Sequence, residues 1–234
     1  KSNDVKLPFH TIPVGIVFKG EVCITISFHK TEMLSDFVTY TKRKNIDIKD
    51  NFDLVLKLLL SSSVWFLKYL KQVNQKIKLA EDNLEKSIKN EELQALLQIE
   101  KCLVFFMTSL KGNDILLHRI KNIKSQREHF DLDLLEDVEI ELRQAQETTN
   151  IYSDILTGTM DAYASVISNN MNTIMKQMTS ISIILMIPTL IASLYGMNVP
   201  NNLQGNKYGI WIVIAVSVLL SAFGVFLFKR KRWF

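Results

Sequence analysis

The sequence predicts an α+β chain that is mostly helical, with a small β part at its start, one long stalk helix and two C-terminal transmembrane helices. Three observations carry this. Residues 178–197 and 209–228 hold no charged side chain, and each is close to the ~20 residues a helix needs to cross the hydrocarbon core. Between Gly20 and Pro188 there is no proline, and the only glycines are Gly112 and Gly158. A stretch that long without breakers cannot be mainly strands and turns. Only the beginning reads as β, with HTIPVGIVF and VCITISF flanking KGE, two β-branched runs around a short glycine turn.

Taken in order, that hairpin comes first. It needs further strands to be stable, and the chain starts with Lys rather than Met, so residues 1–30 are expected to be the remnant of a larger N-terminal α/β domain. A short helix follows near Thr31–Tyr40, then a basic loop of Lys42, Arg43 and Lys44. A long helix is expected from about Asp50 to Ile88, and another from Glu91 to Lys111. LKGND reads as a break, with Gly112 as a stop and Asn113 or Asp114 as the next cap, before a helix to about Ser125. The last helix starts near Asp131 or Asp133 and meets no clear stop before YGMN at 195–198. It is about 60 residues, or ~90 Å at 1.5 Å per residue. Gly158 and Pro188 can bend it without ending it. The expected organisation is a cytoplasmic helical domain with its stalk over 31–177 and a transmembrane hairpin over 178–234, with an external loop at 198–208 and a basic tail at 229–234.

Charge sets the orientation. The loop carries one charge, Lys207, whereas Lys229, Arg230, Lys231 and Arg232 follow the second apolar run. Positive residues stay inside, so the loop faces out and both termini are cytoplasmic in the plasma membrane. Trp211 and Trp233 suit interfacial anchoring. The net charge of +4 over 234 residues is too mild to argue for nucleic acid. Cys23 and Cys102 are far apart, with no CxxC, which fits a reducing compartment. His10, His29, His118 and His129 show no i, i+4 pairing with each other or with a cysteine, so no zinc site is legible. There is no P-loop and no nucleophile elbow. Neither an enzyme nor a nucleotide-driven pump is indicated, and no organic cofactor.

One helical face carries the chemistry. With Met175 at zero and about 100° per residue, Asn172, Met175, Met178, Thr179, Ser182, Met186, Thr189, Ser193 and Gly196 fall within about 60°. The opposite side is richer in Ile and Leu, namely Ile181, Ile184, Leu185, Ile191 and Leu194. A hydroxyl and amide stripe gains nothing from lipid and belongs against other helices or a water-filled path. Close helix packing and a pore both account for it. One hairpin cannot enclose a water path, so a pore requires a symmetric homo-oligomer. Neither apolar segment holds a carboxylate. Neutral oxygens suit a hydrated Mg²⁺, which dehydrates reluctantly, and methionine rings can block ions by dewetting.

YGMN closing an apolar helix, followed by a short loop, a second apolar helix and a basic end, resembles the CorA-type magnesium transporter signature. The wider stretch SNNMNTIMKQMTSISIILMIPTLIASLYGMN and the tail KRKRWF strengthen the likeness. The resemblance implies a homopentamer with a cytoplasmic funnel, five copies of the long helix lining one pore, and gating by cytosolic Mg²⁺ bound between subunits. It implies that Tyr195, Gly196, Met197 and Asn198 form the selectivity mouth. It places Asn172, Met175, Met178, Met186 and Thr189 at pore-facing positions, with Thr179, Ser182 and Ser193 on the same stripe. Asp137 falls at the position of an acidic sensor residue. Lys229, Arg230, Lys231 and Arg232 would form a basic ring. The chain departs from many relatives in its loop VPNNLQGNK, which has no acid.

Asp131, Asp133, Glu136, Asp137, Glu139 and Glu141 crowd the start of the long helix. Acids in a first turn favour the helix dipole, but Glu139 and Glu141 lie beyond it. The functional reading is a divalent-ion sensor in which acids of adjacent subunits repel until Mg²⁺ bridges them. The expected activity is Mg²⁺ transport down its electrochemical gradient, with Mg²⁺ as both cargo and regulator and with the bilayer and the chain's own copies as partners. A carrier of Co²⁺, Ni²⁺ or Zn²⁺ on the same fold is the alternative, although no His or Cys lies along the path to favour softer metals. A non-transporting membrane scaffold is the rival from another class.

Overall fold

The computed structural model describes residues 7–20, 22–86, 90–124, 131–198 and 207–231. The expected helix end at Ser125, His129, loop positions 199–206, Arg232 and Trp233 lie outside the described residues. The order of elements is β1 (Val14–Lys19), β2 (Val22–Ser27), α1 (Glu32–Lys44), α2 (Asn51–Lys86), α3 (Asn90–Lys124), α4 (Leu132–Tyr195) and α5 (Gly209–Arg230). The chain divides into two compact units, Lys1–Asp161 and Ala162–Phe234, with the boundary inside α4.

In the first unit, β1 and β2 pair antiparallel from Val14↔Ser27 to Lys19↔Val22. Gly20 takes a left-handed φ of 60° at the turn, which costs glycine nothing. Ile16 packs on the helical core, while Val17, Val22, Ile24 and Ile26 stay exposed. A cleft of about 710 Å³ lies between this hairpin, α1 and the α2–α3 pair, with Trp65, Tyr69 and Phe106 in its wall.

Thr31 caps α1, its hydroxyl accepting from the Met33 N–H at 3.3 Å. At the other end Asn45 is left-handed at φ 49° and donates to the Lys42 carbonyl, a stop that asparagine tolerates. Lys42, Arg43 and Lys44 are therefore not the loop that their charge suggests. They form the last turn of α1, where cations meet the negative end of the helix dipole.

Asp50 opens α2, its carboxylate accepting from the Asp53 N–H at 2.7 Å. The buried Asp53 carboxylate accepts from the Lys49 N–H at 2.9 Å and the Lys57 ammonium at 2.7 Å. These bonds tie the α1–α2 connection to the first turn of α2.

The expected break at LKGND is absent. α3 runs through Gly112 without interruption. Leu110, Leu117 and Ile120, on either side of that glycine, are all buried in the same core cluster. An isolated glycine costs a helix only about 1 kcal/mol relative to alanine, less than those flanking side chains gain by burial.

The core of this unit joins α2 and α3 to the first half of α4. Along α4 the buried positions are Leu135, Val138, Leu142, Ala145, Thr149 and Leu156. From Leu135 to Thr149 they alternate by three and four, the spacing of a coiled-coil seam, and Leu156 follows one heptad later. Thr149 is compatible with burial because its hydroxyl donates to the Ala145 carbonyl at 2.7 Å. Two long-range bonds fasten the same stretch: Gln146 donates to the Leu110 carbonyl at 3.3 Å, and Thr159 donates to Glu81 at 2.9 Å.

By length and composition α3, α4 and α5 could each cross a membrane, one more than the two expected. They differ in burial. A third of the apolar window of α3 is buried, against 6% for α4 and 11% for α5. The apolar window of α3 thus contributes to a core within the chain, whereas those of α4 and α5 stay largely exposed.

In the second unit, α4 continues through Pro188 to Tyr195, as the sequence predicts. Proline removes one donor to the Ile184 carbonyl but need not end a helix. α5 packs on α4 where Gly224 leaves room: a Cβ there would stand 3.6 Å from Ile184 Cγ1 and 3.7 Å from Ile187 Cδ1. The buried residues of α5 are Gly209, Ser217 and Gly224, all with small side chains.

Candidate ion path and acidic cluster

The seam with α5 occupies one side of α4. Ser180 is fully buried, and Ile184 and Ile187 are half-buried. These lie about 120–180° around the helix from Met175, opposite the polar stripe. Asn172, Met175, Met178, Thr179, Ser182, Met186, Thr189, Ser193 and Gly196 are all exposed. The side toward α5 thus carries Ser180, Ile184 and Ile187, while the amide, hydroxyl and thioether stripe is open, as are Ile181, Leu185 and Leu194.

The threonines of the stripe are held in one donor state. The Thr179 hydroxyl donates to the Met175 carbonyl at 2.8 Å, and Thr189 to Leu185 at 3.1 Å. With the proton committed to the helix's own backbone, each oxygen presents lone pairs outward. Such oxygens can accept hydrogen bonds from water, including the shell of a hydrated cation.

At the end of the stripe, YGMN stops the helix in a specific way. The Gly196 N–H donates to the Ala192 carbonyl at 2.9 Å, and the Met197 N–H to Leu194 at 3.4 Å. A Cβ on residue 196 would sit 3.3 Å from that same Ala192 oxygen, so glycine relieves crowding where the closing bond forms. Tyr195 is half-buried, and Gly196, Met197 and Asn198 are exposed. The Asn198 amide therefore stands open to solvent, two residues past the closing bond.

The acidic cluster belongs to the first unit, and the structure sorts its members. Asp131 is the N-cap of α4, accepting from the Leu134 N–H at 3.1 Å, and it pairs with Lys49 at 3.0 Å. The Leu134 N–H, and next the Lys49 ammonium, hold its carboxyl below the usual range, while the bond to Asp131 raises Lys49. Glu139 pairs with Lys121 at 2.8 Å. Two of the six acids thus have structural work within the chain. Asp137 is exposed and, among the described residues, makes no side-chain hydrogen bond or ion pair. No group of three or more metal-ligating side chains occurs among the described residues.

Sequence spacing misses one juxtaposition. His10 and His29, 19 positions apart, have ring centroids 6.2 Å apart, edge to face. The hairpin between them makes this contact, and no helical periodicity could have signalled it. Lys229 and Arg230 form the last turn of α5, and Lys231 follows, exposed.

Residues 1–230 match the protein family described as CorA-like Mg²⁺ transporter protein. The cobalt/magnesium transport protein CorA of Methanocaldococcus jannaschii is 28% identical over 233 residues, covering 95% of this chain and 72% of that protein. A protein of the same description from Thermotoga maritima is 28% identical over 166 residues, 70% of this chain and 47% of the relative. The magnesium transport protein CorA of Helicobacter pylori strain 26695 is 23% identical over 242 residues, 99% of this chain and 74% of the relative. In fold, the chain resembles the complete structure of the CorA magnesium transporter from M. jannaschii, with a TM-score of 0.73 at 23% identity, covering 95% of this chain and 76% of that one. The chain belongs to the CorA-like Mg²⁺ transporter family, a family of membrane transporters of divalent cations.

Proposed function

We propose that this chain forms a homopentameric channel that carries Mg²⁺ into the cell down its electrochemical gradient. The observation that carries the reading is the division of α4. Its one helical neighbour in the second unit packs on the Ile184 and Ile187 side, which leaves the Asn, Ser, Thr and Met stripe exposed. In hydrocarbon an exposed hydroxyl and amide stripe is costly. Copies of the same helix arranged around an axis would bring the stripes together along a wet path and remove that cost. α4 and α5 form the two crossings, with both termini on the cytoplasmic side and Lys229, Arg230, Lys231 and Arg232 in a basic ring there.

Five Asn198 amides at the outer mouth, beside Tyr195, Gly196 and Met197, would accept the water shell of an arriving ion without a charge to trap it. The thioethers of Met175, Met178 and Met186 would narrow and dry the path when it closes. A divalent cation gains about 4.6 kcal/mol per 100 mV of inside-negative potential, so no nucleotide is required. Asp137, like Asp133 and Glu136, is exposed with no partner among the described residues of its own chain, and the resemblance in sequence position would make it the one that binds Mg²⁺ against a neighbouring subunit. Loss of cytosolic Mg²⁺ would restore repulsion and open the path.

A specific observation favours Co²⁺ as a second cargo: two relatives are described as cobalt/magnesium transport proteins. The neutral-oxygen stripe, without His or Cys, favours the harder Mg²⁺.

One flux assay tests both parts. The full chain in liposomes with an internal fluorescent Mg²⁺ reporter should show influx that Asn198→Ala abolishes with the oligomer intact. Asp137→Asn should weaken inhibition by internal Mg²⁺. Influx unchanged in Asn198→Ala would remove the amide from the mechanism, and unchanged inhibition in Asp137→Asn would remove the sensor.

A further inference from the structure

Beside the Gly224 seam, α4 and α5 leave a groove of about 480 Å³ lined by Ile181, Ile184, Leu185, Val225 and Lys229. Four of these five side chains are aliphatic and the fifth is a cation at one end. Lys229 lies one helical turn beyond Val225, about 6 Å along the axis, so the ammonium tops an otherwise hydrocarbon channel. Lys229 is exposed and, among the described residues, has neither an ion pair nor a side-chain hydrogen bond.

The second unit cannot supply a counter-ion. From Ala162 to Phe234 there are six Lys and Arg side chains, Lys176, Lys207, Lys229, Arg230, Lys231 and Arg232, and no Asp or Glu. A second copy's membrane helices would bring more cations and no carboxylate to this groove. Its α5, apolar and exposed, could cover the aliphatic walls but would bring no anion to Lys229. The occupant has to join a hydrocarbon chain to an anion.

We propose that this groove binds an anionic phospholipid, with an acyl chain along Ile181, Ile184, Leu185 and Val225 and the phosphate on Lys229. The inference rests on the reading that α4 and α5 span the membrane. Arg230 and Lys231 add to the attraction at the same level. A basic residue near an anionic surface favours it by about fivefold in binding, while the aliphatic walls exclude a headgroup and admit only the chain. The site would hold one lipid at the α4–α5 seam and fix the angle between the helix that carries the stripe and the helix that braces it.

The test is native mass spectrometry of the full chain in detergent with equal amounts of phosphatidylglycerol and phosphatidylcholine bearing the same acyl chains. The expected result is retention of phosphatidylglycerol about fivefold over phosphatidylcholine. Lys229→Gln should lower that ratio severalfold, and Val225→Trp, which fills the groove, should lower retention of both lipids. Lys207→Gln, at the far end of α5, should leave the ratio unchanged. An unaltered ratio in Lys229→Gln overturns the site. Flotation on phosphatidylcholine vesicles followed by an alkaline carbonate wash separates the two levels of the argument. A parent chain that is washed off overturns the membrane reading and this inference together. A chain that stays embedded but shows no preference for the anionic lipid overturns this inference alone.

Discussion

The two units use their hydrophobic residues in opposite ways. In the first, Leu56, Leu70, Val73, Leu96, Leu103, Leu110 and Leu142 are almost wholly buried, with Leu56, Leu110 and Leu142 in one cluster. In the second, Leu185, Met186, Leu190, Ile210, Val218 and Leu219 are each more than half exposed. Similar residue types therefore carry different instructions. The first unit finds its hydrophobic partners within the chain. By our reading the second has its partners outside, in lipid and in other copies of α4.

The sharpest way to break that comparison is a pair of truncations. Leu142→Ala should cost about 2–5 kcal/mol, because the seam of α4 cannot refill the space. Leu219→Ala, on the exposed side of α5, should change stability by less than about 0.5 kcal/mol. Thermal unfolding of the reconstituted protein checks both, and equal losses at the two sites would show that the second unit has a protein core after all.

Next in size is the α4–α5 seam. Gly224→Leu should cost about 1–3 kcal/mol by overpacking against Ile184 and Ile187. Gly224→Ala should be tolerated, because its Cβ would stand at ordinary contact distances of 3.6 and 3.7 Å. A leucine variant that unfolds like the parent would place the seam elsewhere.

The smallest expected effect concerns the acidic cluster. Asp131→Ala should cost about 1 kcal/mol through the lost cap. The carboxyl of Asp131 is held below its usual value of 3.8, so its contribution is fully present above that pH and is lost as pH falls through the lower folded value. Lys49 is held above 10.5, and its share is lost only as pH rises beyond that value. Parent and variant should thus differ by a constant amount from about pH 5 to 9 and converge in acid. A difference that persists in acid would assign the loss to packing instead.

How much could be read in the sequence follows from the same contrast. Local signals were legible: α4 begins at Leu132 and runs to Tyr195, as the absence of breakers requires. The hairpin sits where its β-branched runs predict. Signals that depend on tertiary packing were not. Gly112 is a plausible stop until Leu110 and Leu117 are seen in one cluster. Lys42, Arg43 and Lys44 look like a loop until Asn45 is seen to end the helix after them. Within the candidate site, the stripe was legible because it is periodic on one helix. The sorting of the acids was not, because the partners of Asp131 and Glu139 come from Lys49 and Lys121 on distant segments. α3 shows the limit of composition, being apolar enough to span a bilayer yet a third buried in a core across that apolar window.

The central claim is that the exposed stripe of α4 lines a water-filled path. Its most direct test is thiol accessibility at Ser182→Cys, with Leu219→Cys on the exposed side of α5 as the comparison, in a Cys23→Ser background. Cys102 can stay, since it is buried and burial pushes its thiol up, which keeps it unreactive. A water-soluble, charged thiol reagent should modify Ser182→Cys and block Mg²⁺ influx, and leave Leu219→Cys conducting. A thiol at position 182 that stays unmodified in a conducting protein, or modification without block, would contradict the path along this face.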